Sequence, residues 1–216
     1  MATLYASGAD WNTASHWGTT SGASDGSVPT SSDDVIFDAN SVNMSLSAAA
    51  NAKSIVSTNY TGTLDLISYD LTIGTGTWGV GGSSTVKLNG TQTINKSPTF
   101  ATGATCVYSA TSGAVTMKNW TYKNLTIDGS GGTFKFGEAH TGITTFTITA
   151  GTFDHANGDY AITCSTGLTV NGGTFSGGSA NLTAGTFEFS SGSFTSTSGT
   201  FEVTTGSTTA WNKTGG

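Results

Sequence analysis

Residues Gly185 to Trp211 read GTFEFSS-GSFTSTS-GTFEVTT-GSTTAW, and they hold the plainest periodicity in the chain. Gly185, Gly192, Gly199 and Gly206 recur every seven residues, each followed by Ser or Thr, and Phe187, Phe194 and Phe201 fall at one place in three successive units. Within a unit the apolar residues alternate, as in Phe187/Phe189 and Phe201/Val203, which is the period of a strand with one buried face. Seven residues make one short strand and one bend, with Gly supplying the positive φ of a tight corner. A helical heptad would need apolar spacings of three and four separated by helix formers. The spacers here are Thr, Ser and Gly, so a coiled coil is excluded.

The same phrase recurs upstream in a longer frame. Leu168-Thr169-Val170 with Gly173-Thr174-Phe175 follows Phe146-Thr147-Ile148 with Gly151-Thr152-Phe153, and Leu125-Thr126-Ile127 with Gly132-Thr133-Phe134 precedes both by one more period. Three seven-residue faces nearly make that period, which predicts a three-sided coil of roughly 20 to 22 residues. The fold expected is all-β: a single-stranded parallel β-helix, or β-solenoid, with about three short strands per coil. Phe153, Phe175, Phe187, Phe194 and Phe201 form the expected core ladder. Residues 35–216 are assigned to the solenoid, about eight or nine coils and on the order of 40 Å long at a strand spacing near 4.8 Å.

Composition narrows the function classes. Of 216 residues, 9% are charged and 35% hydrophobic, with 31 Gly and 2 Pro. Regular Phe, Ile, Leu and Val positions set the chain apart from disordered Gly/Ser/Thr segments. The net charge is −6 and there is no Arg, so the basic stripe of a nucleic-acid binder is missing. Cys106 and Cys164 lie 58 residues apart, not a whole number of coils, and are read as two buried free thiols in preference to a disulfide. The segment MATLYASGADWNTASHW lacks the basic and apolar regions of a secretory signal, and no stretch approaches a membrane span.

Residues 1–34 do not share the repeat and are read as an irregular cap over the first coil, whose edge and core would otherwise be open. Trp11, Trp17, Pro29, Asp33 and Asp34 are its key residues; the alternative for the two Trp is a sugar-stacking platform. Trp11-Asn12…Trp17, Val28-Pro29 and Asp33-Asp34-Val35-Ile36-Phe37-Asp38 resemble the opening of Gly/Thr-rich β-solenoid proteins of bacteriophage virions and bacterial surface adhesins. The later phrases NLTI, TAGTF and LTVNGGTF are similar to coil repeats of those proteins. The resemblance implies an appendage, fibre or surface role and carries over no catalytic residue.

Chemistry finds few footholds. Asp65 with Asp70, or Asp154 with Asp159, are the carboxylate pairs a glycosidase would need, but Asp is also a turn residue. Glu138, His140, Asp154, His155 and Asp159 are the densest ionisable group; a His/carboxylate metal site is weighed against polar loops, and the loops are preferred. Asp25, Asp33, Asp34 and Asp38 follow no calcium-binding repeat. No metal and no cofactor are assigned. The expectation is a non-enzymatic structural protein of an extracellular or virion fibre, self-assembling by end-to-end stacking of solenoids, with Trp211 as the candidate assembly end. The first alternative is a receptor- or glycan-binding adhesin using Trp78, Trp120 and Tyr122; the second is a β-helical glycan-cleaving enzyme of the tailspike kind. The partners expected are further copies of the chain, with a cell-surface glycan or receptor as the other candidate.

Overall fold

The computed structural model describes residues 1–206 and 210–214. The spacer at 207–209 of the fourth seven-residue unit, and 215–216, lie outside them. Among the described residues the only helical element is a 3-10 turn at Ala14–His16, and the chain is a β-solenoid of parallel, stacked strands. It divides into two compact units, Met1–Thr105 and Cys106–Gly216.

The first unit contains β1 (Thr3–Ala6), β2 (Trp17–Gly18), β3 (Asp34–Phe37), β4 (Met44–Ser45), β5 (Ala50–Ala52), β6 (Ser54–Ser57), β7 (Thr63–Asp65), β8 (Leu71–Ile73), β9 (Gly79–Val80), β10 (Thr85–Leu88) and β11 (Thr99–Phe100). Pairing shows how the coil closes. β3 pairs with β6, β4 with β7 and β5 with β8, all in parallel. The pattern then returns to the first face, where Ile55 of β6 bridges Trp78, to the second, where β7 pairs with β10, and to the third, where Leu71 of β8 bridges Ile94. From β3 to β7 each paired strand therefore stacks on the third strand along, as in a three-sided coil. Side-chain bonds between neighbouring coils give the coil length directly: Ser54 to Asp34 spans 20 residues and Asn95 to Ile73 spans 22.

Residues 1–34 join this stack rather than lying beside it. β1 pairs in parallel with β3, Leu4 beside Val35, and β2 pairs antiparallel with β1. On the second face Asp10 bridges Ser45 of β4. On the third, Asn12 accepts the Ser47 and Ala48 amides through its side-chain oxygen. Trp11 and Trp17 are fully buried with ring centroids 4.9 Å apart, and both face Phe37. The Trp17 indole donates to the Trp11 carbonyl at 2.7 Å. Pro29 is also buried.

The second unit contains all but the first residue of β12 (Thr105–Tyr108), with β13 (Ala114–Thr116), β14 (Asn124–Lys135), β15 (His140–Asp154), β16 (Ile162–Ser176), β17 (Leu182–Thr195), β18 (Phe201–Val203) and β19 (Trp211–Lys213). The four long strands run around corners through register shifts, and like residues stack in line. One ladder is Phe134–Phe153–Phe175–Phe194; a second is Leu125–Phe146–Leu168–Phe187–Trp211. Phe153 and Phe175 are fully buried and Phe187 nearly so, whereas Phe194 and Phe201 are half-buried.

The seven-residue repeat is the step from one face to the next. Phe187, Phe194 and Phe201 belong to three different faces, and their rings converge at 4.5, 5.2 and 5.6 Å. Of the four repeating glycines only Gly192 has a positive φ, 93°. It belongs to a corner ladder with Gly131, Gly151 and Gly172, also at positive φ. Gly185 and Gly199 are small for another reason: a Cβ on either would lie 2.4 Å or less from a carbonyl oxygen of the neighbouring coil.

Two expectations follow. Phe175→Ala removes a fully enclosed ring and costs about 3–5 kcal/mol; Phe194→Ala costs distinctly less, while Phe194→Asp, which sets a charge among three rings, lowers the thermal midpoint. Equal losses for the two alanines in denaturant titrations would contradict this ladder. Gly151→Ala needs a left-handed Ala with its Cβ 2.2 Å from the Gly129 carbonyl oxygen, costing about 1–3 kcal/mol for the backbone alone. Gly206→Ala meets nothing within 4 Å and is close to neutral in the same assay.

Candidate functional site

The densest ionisable group does not assemble into one centre. His140 opens β15 on a rung otherwise held by Ile162, Leu182 and Phe201. It is buried, its ring 4.0 Å from that of Phe136 and 5.5 Å from that of Tyr122. Its Nε2 is buried with no hydrogen-bond partner. Beside it is a half-open cavity of about 230 Å³ whose lining includes Asn119, Trp120, Tyr122, Glu138 and Thr141. This is the candidate site in the second unit: a neutral imidazole under an aromatic wall, with a carboxylate nearby. Burial holds the His140 pKa below its ordinary 6.5, and the Glu138 charge offsets part of that.

His155 is occupied elsewhere. Its Nε2 lies 2.9 Å from the Tyr160 carbonyl, and its Nδ1 is 3.4 Å from the Gly178 amide nitrogen. Donation from Nε2 and acceptance at Nδ1 fit the neutral Nε2–H tautomer. The Asp159 carboxylate accepts the amides of Ser179 and Ala180 and the Ser179 hydroxyl, and those bonds, the hydroxyl's foremost, lower its pKa. Asp154 accepts the Asn157 amide. Among the described residues no three His, Cys, Asp or Glu side chains are grouped to hold a metal ion.

The aspartates singled out in the first unit are likewise engaged. Asp65 forms an ion pair with Lys87 of the next coil at 3.2 Å and accepts the Ile67 amide. It thereby supports a β-branched residue at φ 52°, a conformation such residues rarely adopt. Asp70 accepts the Thr93 amide, 23 residues on. Asp33 accepts from the Thr30 hydroxyl and amide and from the Ala2 amide; these bonds, the hydroxyl's first, lower its pKa. Asp34 is held by the Ser54 hydroxyl and by Lys53 at 2.9 Å. Asp25 is bonded to Thr19, and Asp38 to Asn40 and Ser41.

The aromatic candidates for sugar stacking are enclosed. Trp78, Trp120 and Tyr122 are each 5% exposed or less, and Trp11 and Trp17 are not exposed at all. Tyr122 is tied instead into a buried polar cluster: its hydroxyl lies 2.8 Å from that of Tyr108 and donates to the Lys118 carbonyl, and the Lys118 amide donates to the Tyr108 hydroxyl. Cys106 and Cys164 are free and buried. Burial pushes the Cys164 thiol up to about 12 and raises Cys106 as well, so neither offers a thiolate near neutral pH.

Trp211 is the contrast, with 57% of its surface exposed. With Phe187, Phe189, Phe194, Asn212 and Lys213 it lines an open, largely apolar groove of about 280 Å³. Sequence reading singled out Trp211 but neither the groove nor the His140 cavity. Those arise from the way coils align, and only the placement of a polar His at an apolar step of the repeat hinted at the second. No family model matches this chain, and no curated protein or solved structure does either.

His140 generates a pH prediction. A neutral imidazole is favoured in the fold, so its contribution to stability is complete above pH 6.5 and declines as the pH falls below that value. Asp33 and Asp159, whose pKa values are lowered, keep their contribution above 3.8 and lose it only in stronger acid. Between pH 8 and 5 the stability difference between the parent and His140→Leu should therefore shift in favour of the variant. A difference independent of pH would contradict the assignment.

Proposed function

We propose that the chain is a non-enzymatic structural protein of an extracellular or virion fibre, joining other subunits through the ends of its coil stacks. The observation that carries this reading is where the polar side chains are used. Asp65–Lys87, Asp70–Thr93, Asn95–Ile73, Asp159–Ser179 and Asn181–Thr200 each link one coil to the next. Carboxylates committed to neighbouring coils are poorly placed to act on a substrate. The dry interior of Phe, Ile, Leu and Val adds stiffness. The glycan-binding alternative has less support, because its aromatic candidates are buried, and the glycan-cleaving alternative lacks a free carboxylate pair among its named candidates. The extracellular or virion setting rests on the resemblance of the opening and coil motifs.

Electron microscopy of the purified chain over a range of concentrations is the test. End-joined particles are expected, together with no cleavage of neutral or acidic polysaccharides. Release of new sugar ends, abolished by Asp65→Asn or Asp154→Asn without loss of fold, would overturn the reading.

A further inference from the structure

We infer that the His140 cavity binds a primary ammonium group carried on a short alkyl chain. The assembly reading above neither requires this ligand nor depends on it.

Elsewhere polar side chains are spent on ties between coils, as with Asp65 and Asp159. Around this cavity they are not. Asn119, Glu138 and Thr141 are exposed residues of its wall. None of their side chains has a hydrogen bond or ion pair among the described residues. His140, also in the wall, keeps only 6% of its surface exposed, and its Nε2 has no partner. The other two histidines are served from within the chain. The His16 Nδ1 accepts the Asp10 amide at 2.9 Å, and the His155 ring is bonded at both nitrogens. A buried ring nitrogen without a partner carries its desolvation cost uncompensated. One cavity thus gathers four polar side chains that the fold itself leaves unserved.

The chemistry of the wall selects the ligand. Glu138 carries its only full charge, and that charge acts on His140. Lys118 and Lys123 flank Asn119–Tyr122 in sequence but are not part of the wall. An anion is therefore disfavoured. Burial holds the His140 pKa below 6.5, so near neutral pH the imidazole offers a lone pair to a donor. An ammonium has three N–H donors and no acceptor, which suits a carboxylate, an imidazole lone pair and the oxygens of Asn119 and Thr141. Trp120 and Tyr122 add an apolar wall for the alkyl stem. A divalent metal ion would find only Glu138 and His140 there, short of a three-residue ligand group. The volume of about 230 Å³ limits the stem to a few carbons, and the half-open mouth admits either a free amine or a lysine side chain.

The test titrates n-butylammonium into the 216-residue chain and follows the histidine ring nitrogens by NMR. A saturable shift is expected at His140, with His16 and His155 in place. By calorimetry, Glu138→Gln should weaken binding at least tenfold with an unchanged thermal midpoint, because that side chain is exposed and untied. His140→Leu, suited to a rung of Ile162, Leu182 and Phe201, should abolish it. n-Butanol, of similar shape without the charge, should not bind. A peptide with one central lysine identifies the source. Binding at least as tight as that of butylammonium assigns the ammonium to a partner's lysine, and weaker binding assigns it to a free amine. Equal binding of butanol, or butylammonium binding indifferent to Glu138→Gln, would overturn the ammonium assignment. No saturable shift at His140 would overturn the site itself and leave an ordered water as the partner of Nε2. Neither result bears on end-joining, which microscopy decides.

Discussion

Parallel stacking of backbone hydrogen bonds between coils is the constraint on which everything else depends. A strand bonded to its neighbour in register has no freedom over what lies beneath its side chains: residue sits over residue at the strand spacing. That rule turns Phe134, Phe153, Phe175 and Phe194 into one ladder. It also makes any misfit costly, because a side chain that cannot stack disturbs two coils. The coil length is freer than the rung, since corners absorb the difference. Side-chain links between coils span 19 residues from Ser190 to Asn171 and 22 from Thr149 to Ile127, and the register shifts fall between the rungs.

The same rule explains why Asp and Asn serve as ties. At a corner the strand ladder lapses and amides are left without a strand partner. A short acceptor from the coil before or after reaches them, as Asp70 does for Thr93 and Asn181 for Thr200. Satisfying those donors is worth more than the pair energy suggests, because an orphaned amide carries the full desolvation cost. A chain with few charges can therefore spend several of its acids on such ties, as it does with Asp70 and Asp159.

Much of this is legible in the amino-acid sequence. The seven-residue step, the three faces and the inward Phe positions follow from alternation and Gly spacing alone, because a half-buried strand imposes period two on its residues. The first unit was harder to read. Its strands are two to four residues long, too short for a period to stand out, and β1 could be assigned to the stack only once its pairing with β3 was seen. The glycines misled in part: Gly185 and Gly199 look like Gly192 in sequence, yet close approach of a neighbouring carbonyl, not a left-handed backbone, excludes a side chain there. The His140 cavity was invisible for a related reason. Which residues share a rung depends on corner lengths, and a single residue more or less at a corner would change the rung on which His140 sits.

The unequal burial of the tryptophans has an optical consequence. Trp11, Trp17, Trp78 and Trp120 are enclosed, and of the five in the chain only Trp211 is open to water. Emission from enclosed indoles is blue-shifted and shielded from aqueous quenchers, whereas emission from Trp211 is red-shifted and quenchable. The protein thus carries a built-in spectroscopic reporter of β19 and the groove beside it, readable without any label, while the other four indoles report on the packed interior.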